Sequence, residues 1–432
     1  MRMSVIGTGY LGATHAACMA ELGHQVMGVD VDAAKIEALS AGRVPFFEPG
    51  LQEVLQRNIR AGRLRFSTSI DDAAGFAKVH FLGVGTPQRS RSYAADVRYV
   101  DAAVDALSQA AGPGHVLLGK STVPVGTAER LQRNSRVEIA WNPEFLREGY
   151  AVRDTISPDR IVLGVRDNPS VDVVGLAREI YAAPIAAGTP FIETDLATAE
   201  LVKVSANAFL ATKISFINAV SEICERTGAD VMALADAIGY DERIGRKFLG
   251  AGLGFGGGCL PKDIRAFIAR AGELGANEAL TFLLEVDAIN LRRRERMVQL
   301  VHKACGGSLL GARVTVLGAA FKPNSDDVRD SPALAVAGAL SLGGATTTVY
   351  DPQAMANAAA VYPTLRYVDS CADAVQGADV VVLATEWQEF IDLDPVEVGE
   401  RVRSKVILDG RNVLDSAAWQ AAGWDYQALG RG

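Results

Sequence analysis

One cysteine of the chain lies where its thiol could act as a nucleophile. Cys259 ends the segment GLGFGGGC, in which five glycines fall within seven residues, and Lys262 and Asp263 follow it closely. From Ile264 to Ala271 apolar side chains recur at helical spacing, which predicts that a helix begins at the cysteine. A helix N-terminus and a neighbouring ammonium both favour the thiolate form. The pattern therefore predicts a reactive thiol at Cys259.

A second motif, at the N-terminus, predicts a dinucleotide site. VIGTGYLG places Gly7, Gly9 and Gly12 in G-x-G-x-x-G register between a predicted strand and a predicted helix, and Asp30 closes the next strand. The glycines let a pyrophosphate approach the helix N-terminus, and the aspartate would bind the adenosine ribose hydroxyls. An acid here disfavours a 2′-phosphate, so NAD is expected rather than NADP. Lys35 is predicted to reach a phosphate or the ribose, with a solvated lysine as the alternative.

A hydride acceptor and a nucleophilic thiol in one chain suggest one kind of chemistry. An aldehyde carbon bound to sulfur is a thiohemiacetal, which becomes a thioester when it loses hydride, and hydrolysis of the thioester gives an acid. The remaining cysteines are interpreted as structural. They are Cys18, Cys224, Cys305 and Cys371.

Composition excludes several other classes of protein. The chain has 432 residues and a formal charge of −8, which argues against a broad nucleic-acid or anionic-membrane surface. Five scattered cysteines without a C-x-x-C pair, and a strand in place of a leader at the N-terminus, predict a cytoplasmic protein. No run is long and apolar enough to cross a membrane. The five histidines show no metal-ligand spacing, so no metal is expected.

The elements that must position these motifs follow from the pattern of apolar runs. Short apolar runs alternate with helical segments up to about residue 194, which is typical of a parallel sheet. Several predicted strands end in polar residues, among them Thr86, Thr122 and Glu144, and the carboxyl ends of such strands form the ligand crevice. A second, smaller α/β pattern begins near Arg313.

Between the two α/β patterns, the segment from Asp195 to Gly228 predicts one long helix. We therefore predict two Rossmann-like doubly wound domains, residues 1–194 and 301–432, joined by a central all-α region, residues 195–300. Lys203 and Asn207 are one turn apart and share a face of the long helix. A lysine inside so apolar a helix favours a ligand role, and the pair suits stabilisation of an alkoxide.

The motifs together resemble the nucleotide-sugar dehydrogenases of the UDP-glucose/GDP-mannose dehydrogenase family. Besides the two motifs above, the resemblance rests on KSTVPVGTAE, NPEFLREG, ELVKVSANAFLATKISFINAVSEI and GAAFKPNSDDVRDSPAL, in family order and spanning nearly the whole chain. It implies oxidation of the C6 primary alcohol of UDP-glucose to UDP-glucuronate with two NAD⁺ and no metal. GDP-mannose and a UDP-N-acetylhexosamine are the alternative substrates.

The resemblance also implies individual roles. Cys259 is expected to form the thiohemiacetal and the thioester, Lys203 and Asn207 to bind the C6 oxygen, and Glu144, Thr122 and Asp263 to handle protons or water. The expected cofactor contacts are Gly7, Gly9, Tyr10, Leu11, Gly12, Asp30, Lys35, Thr86, Thr122, Glu148, Lys262 and Arg329. The expected substrate contacts are Glu144, Phe145, Leu146, Lys203, Asn207, Arg243, Phe248, Gly256, Lys322 and Arg411.

Two further expectations concern assembly and the glycine segment. Arg243 matches an arginine that reaches the substrate of a neighbouring subunit, which implies a homodimer with the long helix at its centre. The five glycines before Cys259 are interpreted as space for a sugar ring, with hinge motion as a second use. The segment PQRSRSYAAD after Thr86 is more basic than the family pattern, which leaves the details of the cofactor loop open.

Two other functions fit parts of the pattern. A two-electron hydroxyacid dehydrogenase has a similar two-domain design but needs no thiol. A catalytically inactive nucleotide-binding protein would keep the fold and lose catalytic residues, whereas Cys259, Lys203, Asn207 and Asp263 are all present.

Overall fold

The computed structural model describes residues 1–431, which form two compact units. The first comprises Met1–Ala206 and Ala269–Gly275, and the second comprises Asn207–Ile268 and the chain from Ala276 onward.

An eight-stranded sheet forms the centre of the first unit. Its strands are β1 (Arg2–Ile6), β2 (Gln25–Val29), β3 (Leu64–Ser67), β4 (Val79–Leu82), β5 (Val116–Gly119), β6 (Glu138–Trp141), β7 (Ile161–Val165) and β8 (Phe191–Asp195). They run in the order β3-β2-β1-β4-β5-β6-β7-β8, and neighbouring strands are parallel except β6 and β7, which pair antiparallel through Trp141 and Gly164. The strand order reverses between β1 and β4, where doubly wound sheets bind ligands.

Nine helices surround this sheet. They are α1 (Tyr10–Glu21), α2 (Ala33–Ser40), α3 (Leu51–Arg60), α4 (Ile70–Phe76), α5 (Arg98–Ala110), α6 (Thr127–Gln132), α7 (Ala151–Ile156), α8 (Val173–Ile180) and α9 (Ala182–Ala186). Along β5, Val116 and Leu118 belong to one hydrophobic core cluster, and Leu117, which lies between them, belongs to another. Both faces of the sheet are therefore buried, and its strands are continuous apolar runs for that reason.

The second unit contains a six-stranded sheet that is parallel throughout. Its strands are β9 (Arg313–Leu317), β10 (Thr346–Tyr350), β11 (Arg366–Tyr367), β12 (Val380–Leu383), β13 (Val406–Asp409) and β14 (Asp425–Ala428), in the order β11-β10-β9-β12-β13-β14. The predicted α/β class with two doubly wound sheets is confirmed.

The remaining helices begin with the long one. They are α10 (Leu196–Thr227), α11 (Val231–Gly239), α12 (Leu260–Glu273), α13 (Phe282–Ala304), α14 (Pro332–Leu342), α15 (Met355–Val361), α16 (Cys371–Val375), α17 (Gln388–Ile391), α18 (Pro395–Gly399) and α19 (Ser416–Ala421). The predicted long helix is confirmed as α10, which ends before Gly228 at φ +73°. The helical pattern after Cys259 is two helices, α12 and α13, because Gly275 at φ +78° follows the first of them closely.

The turn after β9 is closed by the protein itself. Ala319 and Ala320 donate their N–H groups to the buried Asp351 carboxylate at 2.7 and 2.9 Å, and the Trp387 indole N–H donates to the same oxygen at 3.0 Å. Asp351 follows β10 as Asp30 follows β2, but Asp351 is fully buried, whereas Asp30 is half-buried. The second sheet thus lacks the glycine motif, and its corresponding acid is buried by the protein.

Ser4, the buried His80 and the half-buried His115 are linked by hydrogen bonds in the first unit. Ser4 Oγ is hydrogen bonded to His80 Nδ1 at 2.7 Å, and His80 Nε2 to His115 Nδ1 at 3.0 Å. Burial lowers the pKa of His80 to about 3.

Folding stability should therefore fall as the pH is lowered below about 6.5, the pKa of an unfolded histidine. Between that pH and about 3 the unfolded chain binds a proton at His80 and the folded chain does not, so His80 contributes a slope of about 1.4 kcal/mol per pH unit. Urea titrations from pH 7 to 4.5 should give a shallower slope for His80→Leu than for the wild type. His302→Leu, at an exposed position, is the control, and equal slopes for His80→Leu and wild type would contradict the prediction.

Candidate active site

The turn after β1 has the shape that a dinucleotide pyrophosphate requires. Gly7 adopts φ +87° and donates its N–H to the Val29 carbonyl at 2.7 Å. A Cβ on Gly12 would overlap the Gly7 carbonyl oxygen, whereas a Cβ on Gly9 would meet nothing within 4 Å. The first and third glycines are thus needed by the turn itself, and the second faces open space at the N-terminus of α1.

Asp30 lies directly after β2, beside this turn. Its carboxylate accepts the Thr8 N–H at 2.8 Å, the Asp32 N–H at 3.1 Å and the Lys35 ammonium at 2.9 Å. Burial opposes ionisation, but the hydrogen bonds from Lys35 and from the backbone outweigh it and lower the pKa of Asp30. Lys35 is therefore paired with Asp30, and its predicted contact with a phosphate or the ribose stays a prediction.

Glu48 is a buried residue of this region that the sequence did not reveal. It accepts a short hydrogen bond from the Tyr10 hydroxyl and binds the N–H groups of Gly149 and Ala151 at 2.6 and 2.7 Å. Burial, followed by the contact with Glu48, raises the pKa of Tyr10. Glu48 thereby ties the start of α1 to the turn that contains Glu148. In the sequence, Glu48 lies within the segment PFFEPG, and this pattern indicates only a residue of a turn.

The ends of β4 and β5 meet, as the polar strand ends predicted. The Thr86 hydroxyl donates to the Thr122 carbonyl at 2.7 Å, and the Ser121 hydroxyl donates to the Val84 carbonyl at 2.7 Å. Thr86 and Glu148 are buried, and Thr122 is half-buried. The structure thus brings the two predicted threonines together at the carboxyl edge of the first sheet.

Glu144 and Lys203 form an ion pair in the first unit. The Lys203 Nζ lies 3.1 Å from Glu144 Oε1, and Glu144 Oε2 accepts the Leu146 N–H at 2.7 Å. The Lys203 ammonium is also 5.7 Å from the centre of the Phe145 ring. Both charged side chains are largely buried, with 7% and 13% of their surface exposed for Lys203 and Glu144. A charge pair held so far from water can stabilise an oxyanion more strongly than an exposed pair.

In the second unit Cys259 lies directly before α12, as predicted from the periodicity. Its carbonyl accepts the Asp263 N–H at 2.9 Å, which closes the first turn. Cys259 is exposed, whereas Cys18, Cys224 and Cys371 are buried. A thiol at this place is accessible and close to the positive end of a helix.

A carboxylate lies behind the thiol-bearing turn. Asp263 is 2% exposed and accepts the Asn207 side-chain amide at 2.7 Å and the Lys262 ammonium at 2.6 Å. Asp263 therefore contacts two other predicted site residues, one from α10 and one from its own helix α12. The structure gives Lys262 a partner within the protein, Asp263, and its predicted cofactor contact stays a prediction.

The glycine segment before Cys259 is packed against the rest of the second unit. A Cβ on any of its five glycines would lie closer than 3.0 Å to another atom of the protein, a distance real Cβ atoms essentially never show. The neighbours are Gly410 for Gly252, Asn290 for Gly254, Asp330 for Gly256, Phe321 for Gly257 and Arg329 for Gly258. These contacts account for Gly252, Gly254, Gly256 and Gly257 without a sugar ring. At Gly258 the neighbour is the end of the flexible Arg329 side chain, so space for a sugar ring stays a prediction for this glycine.

Hydrogen bonds also fix the backbone of this segment. Asn290 binds both the N–H and the carbonyl of Phe255, at 2.8 and 2.9 Å. Asn218 accepts the Gly252 N–H at 2.9 Å, and Arg411 donates to the Gly254 carbonyl at 2.9 Å. A segment held at so many points does not have the freedom of a hinge.

The remaining predicted residues are distributed over the second unit. Arg411 also donates to the Ala384 carbonyl at 2.7 Å, so much of its guanidinium is bound to backbone. Arg243 and Arg329 are exposed and each pairs with the aspartate two residues before it, at 2.6 Å. Phe248 adopts φ +66°, a strained conformation for a phenylalanine, and Lys322 is half-buried beside Phe321.

Three models of one protein family match successive parts of the chain. The NAD binding domain of the UDP-glucose/GDP-mannose dehydrogenase family matches residues 1–185, its central domain residues 197–292, and its UDP binding domain residues 315–416. The chain belongs to the UDP-glucose/GDP-mannose dehydrogenase family. It is accordingly an NAD-dependent dehydrogenase of nucleotide sugars.

Known relatives match over the full length. The chain is 40% identical to the UDP-glucose 6-dehydrogenase of Rhizobium meliloti, with 100% of both chains covered. It is 38% identical to UDP-glucose 6-dehydrogenase TuaD of Bacillus subtilis, covering 100% of this chain and 93% of the relative. Among solved structures, a UDP-glucose dehydrogenase from the archaeon Pyrobaculum islandicum has a TM-score of 0.90 and 40% identity, with 100% and 98% coverage. A UDP-D-ManNAc dehydrogenase from Pyrococcus horikoshii has a TM-score of 0.86 and 25% identity, with both chains fully covered.

The residues of the first unit fit NAD. The open space at Gly9 is where a pyrophosphate would approach α1, and the ionised Asp30 is where the adenosine ribose would bind. Among the described residues no cluster of three or more His, Cys, Asp or Glu side chains could hold a metal. In residues 1–431 there is also no helix long and apolar enough to cross a membrane.

Replacing Asp30 should change the choice of cofactor. In Asp30→Asn the bonds to the ribose hydroxyls weaken and the repulsion of a 2′-phosphate is lost, so we expect the KM for NAD to rise about tenfold and the preference over NADP to shrink. Comparing kcat/KM for both cofactors measures the effect. Asp32→Asn, an exposed acid two residues on, should change neither value, and an unchanged preference in Asp30→Asn would contradict the assignment.

Proposed function

We propose that the protein oxidises the C6 primary alcohol of UDP-glucose to the carboxylate of UDP-glucuronate through a covalent intermediate on Cys259. The substrate is inferred from the full-length relatives, which are named for UDP-glucose. The observation that carries the four-electron reaction is the exposed Cys259 at the start of α12, beside the Asn207–Asp263 contact. A two-electron alcohol dehydrogenase has no use for a thiol in that place.

The residues of the chain have separate roles in this proposal. Bound NAD⁺ supplies the hydride acceptor for both oxidation steps. The Cys259 thiolate adds to C6 of the aldehyde, and the resulting thiohemiacetal is converted to a thioester that water hydrolyses. Asp263 and Glu144 are carboxylates that can hold or transfer the protons released, and Thr122 helps to orient the water.

We assign the stabilisation of the oxyanion to two residues of α10. Lys203, paired with Glu144, and Asn207, bound to Asp263, are the two donors that we assign to the C6 oxygen. A positioned ammonium and amide in a site shielded from water stabilise an alkoxide or a tetrahedral intermediate by about 2–4 kcal/mol per donor. The two charge partners keep both donors from rotating away.

A substrate panel tests the proposal. The purified protein with NAD should oxidise UDP-glucose with the highest kcat/KM among UDP-glucose, GDP-mannose and a UDP-N-acetylhexosamine, releasing two NADH per sugar. Activity on another nucleotide sugar alone would overturn the choice of UDP-glucose, and one NADH per sugar would favour the two-electron alternative. No turnover of any sugar would support an inactive nucleotide-binding protein.

A UDP-N-acetylhexosamine is the more pertinent rival. The structural relative from Pyrococcus horikoshii is a UDP-D-ManNAc dehydrogenase and keeps the same fold at 25% identity. The higher identity to the relatives named for UDP-glucose, 40% for two of them, favours UDP-glucose.

We also propose that the protein is a homodimer built around α10. Large apolar side chains recur on this helix at intervals of seven residues and stay exposed: Phe209 at 67%, Phe216 at 53% and Ile223 at 62%. So regular an apolar stripe is typical of an interface. Light scattering should give twice the chain mass, and Phe216→Asp should shift the protein towards the monomer; a monomeric wild type would overturn the dimer.

The free state of all five cysteines supports a reducing compartment, and we place the protein in the cytoplasm. We keep the division into a cofactor domain, residues 1–194, a central helical region, residues 195–300, and a UDP-sugar domain, residues 301–432, as part of the proposal. The family models support the order of these three parts.

A further inference from the structure

A cavity lies at the carboxyl edge of β5 and β6 in the first unit, next to Glu144. Its lining combines residues from the first sheet and from the helices beside it: Leu11, His15, Lys120, Asn142, Pro143, Glu144, Phe145, Leu146, Asp154, Thr155, Pro158, Asp159, Arg160, Ile161 and Tyr181. Lys120 and His15 are among the lining residues that have no role in the reaction described above. Both are buried, Lys120 at 8% exposure and His15 at 3%.

Lys120 is an isolated cation in this cavity. Among residues 1–431 its ammonium has no salt bridge or side-chain hydrogen bond, and it lies 5.5 and 5.8 Å from the ring centres of Tyr181 and Phe81. Burying an ammonium without a carboxylate of its own is unfavourable, and an apolar side chain would fill the same space without that cost. The charge itself therefore calls for an explanation.

The surroundings hold this ammonium in place. The Lys120 N–H donates to the Leu82 carbonyl at 2.9 Å, which fixes the residue at the end of β5. The Tyr181 hydroxyl donates to Asn142 Oδ1 at 2.7 Å, and the Asn142 amide donates to the Val162 carbonyl at 2.7 Å. The ring that faces Lys120 is thus anchored to the residue two positions before Glu144.

Three charges then lie in one group. Glu144 and Lys203 both interact electrostatically with Lys120. Burial lowers the pKa of Lys120 to about 8; Glu144 opposes this change and Lys203 adds to it. The other charged or titratable groups of the cavity are His15, Asp154, Asp159 and Arg160. Burial lowers the pKa of His15, which belongs to α1. Asp154, from α7, is bound to Arg147 at 2.7 Å, and Arg160 lies over the Phe145 ring. Glu144 is the carboxylate of this set that carries a proposed role.

We propose that Lys120 is a positioning residue for the oxidation, which acts through its charge on the Glu144–Lys203 pair and does not touch the sugar. A second cation beside the pair adds positive potential at the oxygen that Lys203 binds, without itself contacting that oxygen. The three groups together carry one net positive charge, which suits an oxygen that becomes anionic at C6. This inference rests on the proposed function, because the pair acts only if the C6 oxygen is bound there.

Two substitutions at Lys120 separate charge from packing. Lys120→Met keeps the length and removes the charge; because a neighbouring cation makes protonation of the group less favourable, we expect kcat about tenfold lower and the acid limb of the kcat/KM profile moved about one pH unit upward. Lys120→Arg keeps the charge and should return the limb to its wild-type position. Lys78→Met, at an exposed lysine just before β4, should leave the profile unchanged. Melting temperature and NAD binding, measured for every variant, show whether each is folded.

The outcomes are distinct. An acid limb that does not move in a folded Lys120→Met, or one that moves equally in Lys120→Arg, would overturn the inference and leave Lys120 as a packing residue, while the wild type still oxidises UDP-glucose. If the wild type prefers another nucleotide sugar, the same profiles are recorded with that sugar. A wild type inactive on every sugar would overturn the proposed function and this inference together, because no reaction would remain for Lys120 to assist.

Discussion

Cys259→Ser is expected to abolish acid formation, with kcat lower than the wild type by at least about 10³-fold. A hydroxyl at this position is a far weaker nucleophile than a thiol at a helix N-terminus, so the thioester does not form. The measurement is NADH released per UDP-glucose, together with direct detection of UDP-glucuronate. The substitution is nearly isosteric at an exposed position, so the fold and NAD binding should be unchanged.

Cys305→Ser is the matched control. Cys305 is half-buried and follows α13, away from any predicted site residue in the sequence, and its replacement should leave both NADH per sugar and kcat at wild-type values. If Cys259→Ser still releases two NADH per sugar, the covalent pathway is wrong. A variant that releases at most one NADH per sugar and stops at the aldehyde would support the pathway, because the thiol acts on the aldehyde.

Lys203→Met should lower kcat by about 10²- to 10³-fold with a smaller change in KM. The substitution removes the ammonium 3.1 Å from Glu144, so the developing oxyanion loses a donor and the carboxylate loses its partner in a largely buried setting. Lys203→Arg, which keeps the charge but not the length, should recover part of the activity.

Melting temperatures, measured beside kcat, distinguish a catalytic role of Lys203 from a purely structural one. Because Glu144 loses its ion-pair partner, we expect Lys203→Met to melt at a lower temperature, and the double variant Lys203→Met, Glu144→Gln to regain some of that stability without regaining activity. A Lys203→Met enzyme with wild-type kcat would remove the lysine from the reaction and leave it a structural ion pair.

Features with a short sequence signature were predicted correctly. The start of α12 at Cys259 followed from apolar spacing within a dozen residues, and the turn at Gly7–Gly12 from glycines whose conformational demands are local. The long helix α10 was predicted because its pattern runs unbroken to a glycine stop.

Features that depend on distant contacts were not predicted. Spacing places Lys203 and Asn207 on one helix face, but only the fold shows that Asn207 donates to Asp263, 56 positions away in the chain. Glu48 looks like a turn residue until α1 and the Gly149 turn close around it. Lys120 looks like the last residue of a strand, and its isolation becomes visible only when the rings of Phe81 and Tyr181 are in place.

The glycine segment before Cys259 has a thermodynamic consequence. Its backbone is already fixed by Asn290, Asn218 and Arg411 without a substrate, so binding need not order it. Calorimetric titration with a nucleotide sugar should therefore lack the large entropy loss and the heat-capacity change of a loop that folds onto its ligand. Glycines, which usually signal a flexible loop, here belong to a segment whose backbone is held by side chains from other parts of the chain.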